Sequence, residues 1–449
     1  MAESVRKTTM GTFAAGLTAF VMNLGMGIIT ARLLGPNDRG LFALAAVLPH
    51  TVVTFVKLGL AQASIYSIKR ERVDPALVAG QVLMIALVGS ALAVAGMYVF
   101  KFEALHVLLK GAPVLCFAFS MFCVPFLMIE SHFFGILQGL GQFSIFNRRR
   151  LLGSGLSLVG MFVALVVLHG GLLAALGVTA ILTVVLDSWL IGTVYRICGI
   201  RFNWDGPLLE RLLKFGVKSH LQGIATHLHF RADIYLVAAF LNPSQVAFYS
   251  IATRLAELLL FVPESLGLVI YPHQAGSALN EVQELTARSC RHVMFTTTLG
   301  GIVLMLIGPR VVVSWYGHAY APAGPPLYYL MPGVVMMSLF FMLSRNFTSQ
   351  NRQGVNIFAS GAALGCNVLF NLFLIPRMGI SGAGLATLLS YSLATVILGS
   401  TYLMESGKSM REVFVIRSSD LAVYRHLLAD MRGRKKVPGP AITRPVAEP

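Results

Sequence analysis

The sequence predicts an all-α integral membrane protein of twelve transmembrane helices, and three observations predict it. Of the 449 residues, 56% are hydrophobic and 12% charged, with a mean hydropathy of +0.74, a balance that belongs to membrane proteins. The apolar residues gather into runs of roughly 20, the length a helix needs to cross the hydrocarbon. The 35 basic residues then sort by alternate ends of those runs.

The first span, 8–34, is too long for a signal-peptide core and lacks a small-residue cleavage site, so it remains as a helix. "LGPNDRG" at 34–40 turns the chain into the second span, 41–67, which Gly59 is expected to loosen. An amphipathic stretch at 68–80 should lie along the inner interface. The third and fourth spans are 76–100 and 112–136, followed by an inner loop carrying Arg148, Arg149 and Arg150. "HGG" at 169–171 parts the fifth span, 151–168, from the sixth, 172–195. A polar loop leads to the seventh, 219–241, and "LNPS" at 241–244 to the eighth, 246–271, where Pro263 should bend the helix. A second amphipathic stretch, 278–293, precedes the ninth span, 293–315; the tenth, eleventh and twelfth are 326–344, 356–376 and 380–404.

With the N-terminus in the cytoplasm, most basic residues fall inside, and the outer side receives only Arg32, Arg39, Lys101, Lys110, Arg310 and Arg377. A missed helix would have scrambled this sorting. The chain therefore reads as multi-pass in the inner (plasma) membrane with both termini cytoplasmic. The net charge of +16 fits anchoring to anionic lipid and calls for no nucleic acid. Cys116, Cys123, Cys198, Cys290 and Cys366 show no metal or disulfide spacing. "GKS" at 407–409 lacks the Walker glycine, since position 402 is Tyr402. No catalytic motif or long outer loop points to an enzyme, and no cofactor is implied.

The two halves echo each other. Leu34-Gly35-Pro36 matches Leu241-Asn242-Pro243, Leu58-Gly59-Leu60 matches Leu266-Gly267-Leu268, and Gly171, Ala175 and Thr179 match Gly379, Ala383 and Thr387. Six spans per half give both the same orientation, so the expected domains are an N-lobe at 1–205, a C-lobe at 206–404 and a basic cytoplasmic tail at 405–449, with a central cavity between the lobes.

Ionisable residues inside spans cost roughly 2.5–3.5 kcal/mol on insertion scales and face protein or water. Here they are Lys57, Glu130, Asp187, Arg231, Asp233, Arg254, Glu257 and Glu264. Arg254, Glu257 and Glu264 share one helix face, whereas Arg231 and Asp233 point in different directions. Arg231 thus needs a partner on another helix or on a ligand. It either pairs with Glu257 or Glu264 and locks the C-lobe, or lines the cleft. His227 and His229 lie on opposed sides of one helix and cannot chelate one ion.

"ITARLLGPNDRGLFALA" at 29–45, "LQGLGQFSIFNRRRLL" at 137–152 and "HFRADIYLVAAFLNPSQVAFYSIATRLAELLLFVPESLG" at 229–267 resemble the polysaccharide flippases. These are the Wzx-type lipid-linked oligosaccharide exporters of the multidrug/oligosaccharidyl-lipid/polysaccharide superfamily. The resemblance continues through "WYGHAYAPAGPPLYYLMPG" at 315–333 and "MGISGAGLATLLSYSL" at 378–393. It implies two six-helix lobes with alternating access driven by an ion gradient, carrying polyprenyl-diphosphate-linked oligosaccharide for capsule, O-antigen or exopolysaccharide assembly. On that reading Lys57, Arg231 and Arg254 bind the diphosphate, and Asp233, Glu257, Glu264, Glu130 and Asp187 are the candidates for coupling a proton or sodium ion. Membrane lipid and the glycan polymerase machinery are the further expected partners. A multidrug cation exporter and a peptidoglycan-precursor flippase of the same superfamily are the alternatives, the latter usually with two further spans. A non-transporting partner of a polymerase is a third.

Overall fold

Apolar sequence without alternation can satisfy its backbone in lipid only as helix, and helix is what forms. The computed structural model describes residues 2–99, 114–274, 278–350 and 352–421. Lys101, Lys110 and the tail beyond 421 lie outside them. Fourteen α-helices run through the described residues: α1 (Ala2–Val56), α2 (Leu60–Lys69), α3 (Pro75–Val99), α4 (Val114–Gly139), α5 (Phe143–Phe162), α6 (Leu172–Cys198), α7 (Gly206–Phe240), α8 (Pro243–Glu257), α9 (Phe261–Gln274), α10 (Leu279–Tyr316), α11 (Gly324–Ser349), α12 (Gln353–Met378), α13 (Ile380–Ser406) and α14 (Met410–Phe414).

Ten helices among the described residues are long and apolar enough to cross a membrane. One of them is the first two expected spans run together, for α1 continues through a kink at Gly35 (φ 72°, ψ 172°). The remaining expected span is α7, long enough but made polar by Arg231, Asp233 and its histidines. Twelve spans result.

Turns fall where the breakers stand. Asp205 and Asn242 cap α7 and α8, each accepting from a backbone N–H three residues on (2.9 and 3.1 Å), with proline in the first turn. The second span is interrupted at 57–59, where Leu58 and Gly59 are both left-handed (φ 50° and 67°). The eighth span breaks too, but not at Pro263. A 3₁₀ turn covers Leu258–Leu260 and Pro263 sits in the first turn of α9, where its missing N–H costs least. Nor do the amphipathic stretches form separate interfacial helices. Residues 279–293 simply begin α10, and 75–80 begin α3.

The halves keep separate cores. Residues 41–212 supply two apolar clusters, while residues 234–413 build the third with only Ala31, Ala43 and Leu44 from the other half. The start of α7 belongs to the first half's core through fully buried Leu208 and Leu212, and its end, through Ile234 and Val237, to the second half's.

The halves touch at both ends of the bundle. At the end marked by Gly35, Gly40 lies so close to Pro243 that a Cβ would stand 1.8 Å from its carbonyl oxygen, a position only glycine can fill. There too the Tyr320 hydroxyl donates to Ala31 O at 2.7 Å, and Arg32 Nε to Trp315 O at 2.7 Å. At the opposite end Tyr66 stacks on Phe215 at 4.5 Å, and Phe261 meets Phe13 and Phe20 edge-on at 5.9 and 5.8 Å.

The first part of the tail is docked. Arg291 on α10, almost wholly buried, donates to Asp420 (Nε to Oδ2, 2.6 Å) and to Glu412 O (2.7 Å). A buried guanidinium needs such partners, which is why the chain after Ser406 folds back.

Candidate functional site

Between the halves lies a cavity of about 690 Å³. Its walls come from α1, the interruption after it, α4, α7 and α8. The interruption at 57–59 places Lys57 on the wall where the helix ladder is broken. Arg231 projects from the middle of α7. Arg254 and Glu257, three residues apart on α8 and so on one face, complete the group that the structure brings together with it. Lys57, Arg231 and Arg254 thus share one cavity, as the spacing of charges allowed.

Arg231 Nη1 lies 3.2 Å from Glu257 Oε1, with both side chains about a quarter exposed (30% and 26%). The two readings that the sequence left open are therefore compatible: Arg231 pairs with Glu257, and the pair still faces the cavity. Arg254 is exposed to the cavity and, like Lys57, makes no ion pair among the described residues. His227 Nε2 shares a 2.6 Å hydrogen bond with Thr51 Oγ1, and Thr51 also meets the Tyr235 hydroxyl, which joins α1 to α7 across the cleft.

The other carboxylates are dispersed. Glu130 reaches the cavity wall from α4 but is bound to Arg149 (3.1 Å), whose same nitrogen lies 2.6 Å from Asp187. Asp233 is buried in the second half's core, accepting from the Tyr249 hydroxyl at 2.6 Å and from Ile234 N at 2.8 Å. Glu264 sits on α9 within electrostatic range of Arg345 and Arg150, without an ion pair among the described residues.

Two residues were placed elsewhere by sequence reasoning. Arg39, assigned to an outer turn, lines the cavity beside Phe42 (5.8 Å to the ring centroid), with its Nε unpartnered. Arg149, assigned to an inner loop with its neighbours, is inside α5 and buried between two helices. Both helices extend past the apolar stretch that marks them, a signal hydropathy does not carry. His50, exposed on the wall, also escaped notice.

The cavity is therefore cationic. Arg39, Lys57, Arg231 and Arg254 line it against Glu130 and Glu257, and both acids are already tied to an arginine. Unpaired guanidinium and ammonium groups in a water-filled cleft favour an anion, and guanidinium binds phosphate or carboxylate oxygens in pairs. Among the described residues no group of His, Cys, Asp or Glu is placed to hold a metal ion.

A family model described as polysaccharide biosynthesis protein matches residues 5–275. A probable low-salt glycan biosynthesis flippase of Haloferax volcanii, Agl15, is 22% identical over 190 residues, which is 41% of this chain and 40% of the relative. A putative O-antigen transporter of Shigella flexneri is 21% identical over 211 residues, covering 46% and 50%. The chain thus spans half or less of the length of these relatives. Among solved structures, the lipid II flippase MurJ in an inward closed conformation superposes with a TM-score of 0.70 at 14% identity, over 93% of this chain and 92% of that one. That likeness is one of fold: two lobes of membrane helices about a central cleft.

Proposed function

The chain belongs to the polysaccharide biosynthesis protein family, and we propose that it is a flippase for polyprenyl-diphosphate-linked oligosaccharide. The observation that carries this reading is the charge of the cavity. Lys57, Arg39 and Arg254 have no ion pair among the described residues, and Arg231 keeps part of its fork free beside Glu257. A diphosphate answers that arrangement, since its oxygens accept from several donors at once. A cation exporter would need the opposite balance on the same walls.

In this reading the Gly35 end faces outward, both termini are cytoplasmic and the membrane is the inner one. The lobes are 1–205 and 206–404. The cationic groups hold the diphosphate while the polyprenyl chain stays in lipid and the glycan occupies the cleft, for capsule, O-antigen or exopolysaccharide assembly. The contacts at 31–40 with 243 and 315–320 close the outer end, and the aromatic contacts at Phe215 and Phe261 close the inner one. Parting one set while keeping the other gives alternating access. Glu257 and Glu130 on the wall, with Asp233, Glu264 and Asp187 behind it, are the carboxylates through which a proton or sodium gradient would act, and a glycan polymerase would take the product.

The test is the lipid extract of cells depleted of the protein. Diphosphate-linked glycan should accumulate in the cytoplasmic leaflet. An unchanged lipid profile would sink the reading and favour a multidrug exporter.

A further inference from the structure

A second cavity, of about 320 Å³, lies beside the first within the N-terminal half. The two share Asn23, His50, Leu127, Glu130 and Phe134 and so adjoin each other. Its lining differs in kind from the central one. Besides His50 and the ion-paired Glu130 and Arg149, Ser154, Ser157, Thr179, Thr183 and Asn23 present neutral hydroxyl and amide groups, and Arg150 supplies a cation without an ion pair among the described residues. Two of those hydroxyls donate to their own helices, Thr179 to Ala175 O (3.0 Å) and Thr183 to Thr179 O (2.8 Å), which leaves their oxygens as acceptors for a ligand. Asn23 Nδ2 is 3.2 Å from Ser154 Oγ, a bond weak enough to exchange for a ligand hydroxyl.

Arg150 is exposed and makes no ion pair among the described residues. Its neighbour Arg149 is consumed by Glu130 and Asp187, so the two adjacent arginines differ in availability. The guanidinium of Arg150 rests against Gly16, where a Cβ would come within 3.2 Å of it. Glu264 of the other half lies in electrostatic range but not in contact. Phe134 and Phe146, edge to face at 4.8 Å, add an apolar surface on the same wall.

Hydroxyl and amide groups spread over a concave wall suit a polyol, an aromatic pair suits the apolar face of a pyranose ring, and one free guanidinium suits a carboxylate. We propose that this side cavity is a glycosyl subsite that takes a carboxylate-bearing sugar, with Arg150 on the carboxylate. The inference rests on the reading of the central cavity as the diphosphate site, because it places the glycan beside it.

The experiment uses the full chain in detergent and reads the melting temperature with D-glucuronate, D-glucose or inorganic phosphate added, for the native protein, Arg150→Gln and Arg254→Gln. Glucuronate should raise the melting temperature of the native protein and of Arg254→Gln, and this rise should be lost in Arg150→Gln; glucose should give a smaller rise. Phosphate should stabilise the native protein and Arg150→Gln but not Arg254→Gln. A glucuronate effect that survives Arg150→Gln, that vanishes in Arg254→Gln, or that is absent from the native protein overturns the subsite. Phosphate stabilisation dependent on Arg254 would leave the diphosphate reading standing in each of those cases, and its absence would remove that reading instead.

Discussion

Arg231 and Glu257 face each other at 3.2 Å on the wall of the central cavity, joining α7 to α8. Because both side chains are partly exposed, the pair contributes only about 0–1 kcal/mol to stability. Arg231→Ala should therefore leave the protein in the membrane at normal levels while lowering export at least tenfold, which corresponds to about 1.4 kcal/mol of lost binding. The same loss should persist in Arg231→Ala/Glu257→Gln. Export restored in the double variant would make the pair a strut.

Arg254 makes no ion pair among the described residues. Arg254→Gln should change the melting temperature little, in keeping with roughly ±0.5 kcal/mol for substitutions outside packed features, and weaken binding of an anionic cargo by about 10- to 100-fold, as expected for a charged hydrogen bond worth ~1.5–3 kcal/mol. Arg254→Lys should recover part of it. Binding of a radiolabelled lipid diphosphate to the purified variants measures both.

The Glu130–Arg149–Asp187 group is the reverse case. Asp187 is fully buried and Glu130 partly so, hence Arg149→Ala leaves two carboxylates without their cation, a defect of up to about 3–5 kcal/mol for a buried pair. Yield and melting temperature should fall together. Adding Glu130→Gln and Asp187→Asn should restore both, and a failure to restore them would assign Arg149 a role apart from charge balance.

Much of this architecture could be read before any coordinates. Span positions followed from apolar length, and the breakers at 34–40, 169–171 and 241–244 marked a kink or turn that the helices show, whereas the eighth span breaks at Leu258–Leu260 ahead of Pro263. The grouping of Lys57, Arg231 and Arg254 could be guessed from their cost in lipid, and the partner of Arg231 narrowed to Glu257 or Glu264, but not which of the two stands opposite it. That depends on helix rotation, which a single sequence does not encode. The two misplaced arginines share one cause. Arg39 and Arg149 lie on helical turns beyond the apolar stretch, so a rule that ends a helix where hydropathy falls hands them to loops. The docked segment after Ser406 escaped for a different reason, since its anchor, Arg291, sits more than a hundred positions away.

Gly40 offers a direct handle on the contact between the halves at the Gly35 end. Gly40→Val would drive a side chain into the Pro243 backbone, so the ends at 31–43 and 243–320 must separate. Cysteines introduced on this face should become more reactive to a membrane-impermeant thiol reagent in that variant. Unchanged labelling would show that the turn adapts locally.

The docked tail should respond to acid. Burial would raise the Asp420 carboxyl, but the hydrogen bonds from Arg291 and from Arg417 N outweigh it and hold it below the usual carboxylate value. A depressed carboxyl stabilises docking above its unfolded pKa, about 3.9, and that stability is lost as pH falls through the lower folded value. Protease sites near 407–421 should be protected at neutral pH and cut progressively below about pH 4. Asp420→Asn should be cut at every pH.

Asn23, His50, Leu127, Glu130 and Phe134 line both cavities. Side chains exchange rotamers in roughly picoseconds to nanoseconds, whereas helix bundles rock against one another in about microseconds to milliseconds. A molecule reaching both chambers can therefore shuffle between them many times within a single rocking event. If the lobes rock as proposed, the two compartments would fill as one equilibrated volume, and selection between cargoes would come before the rocking.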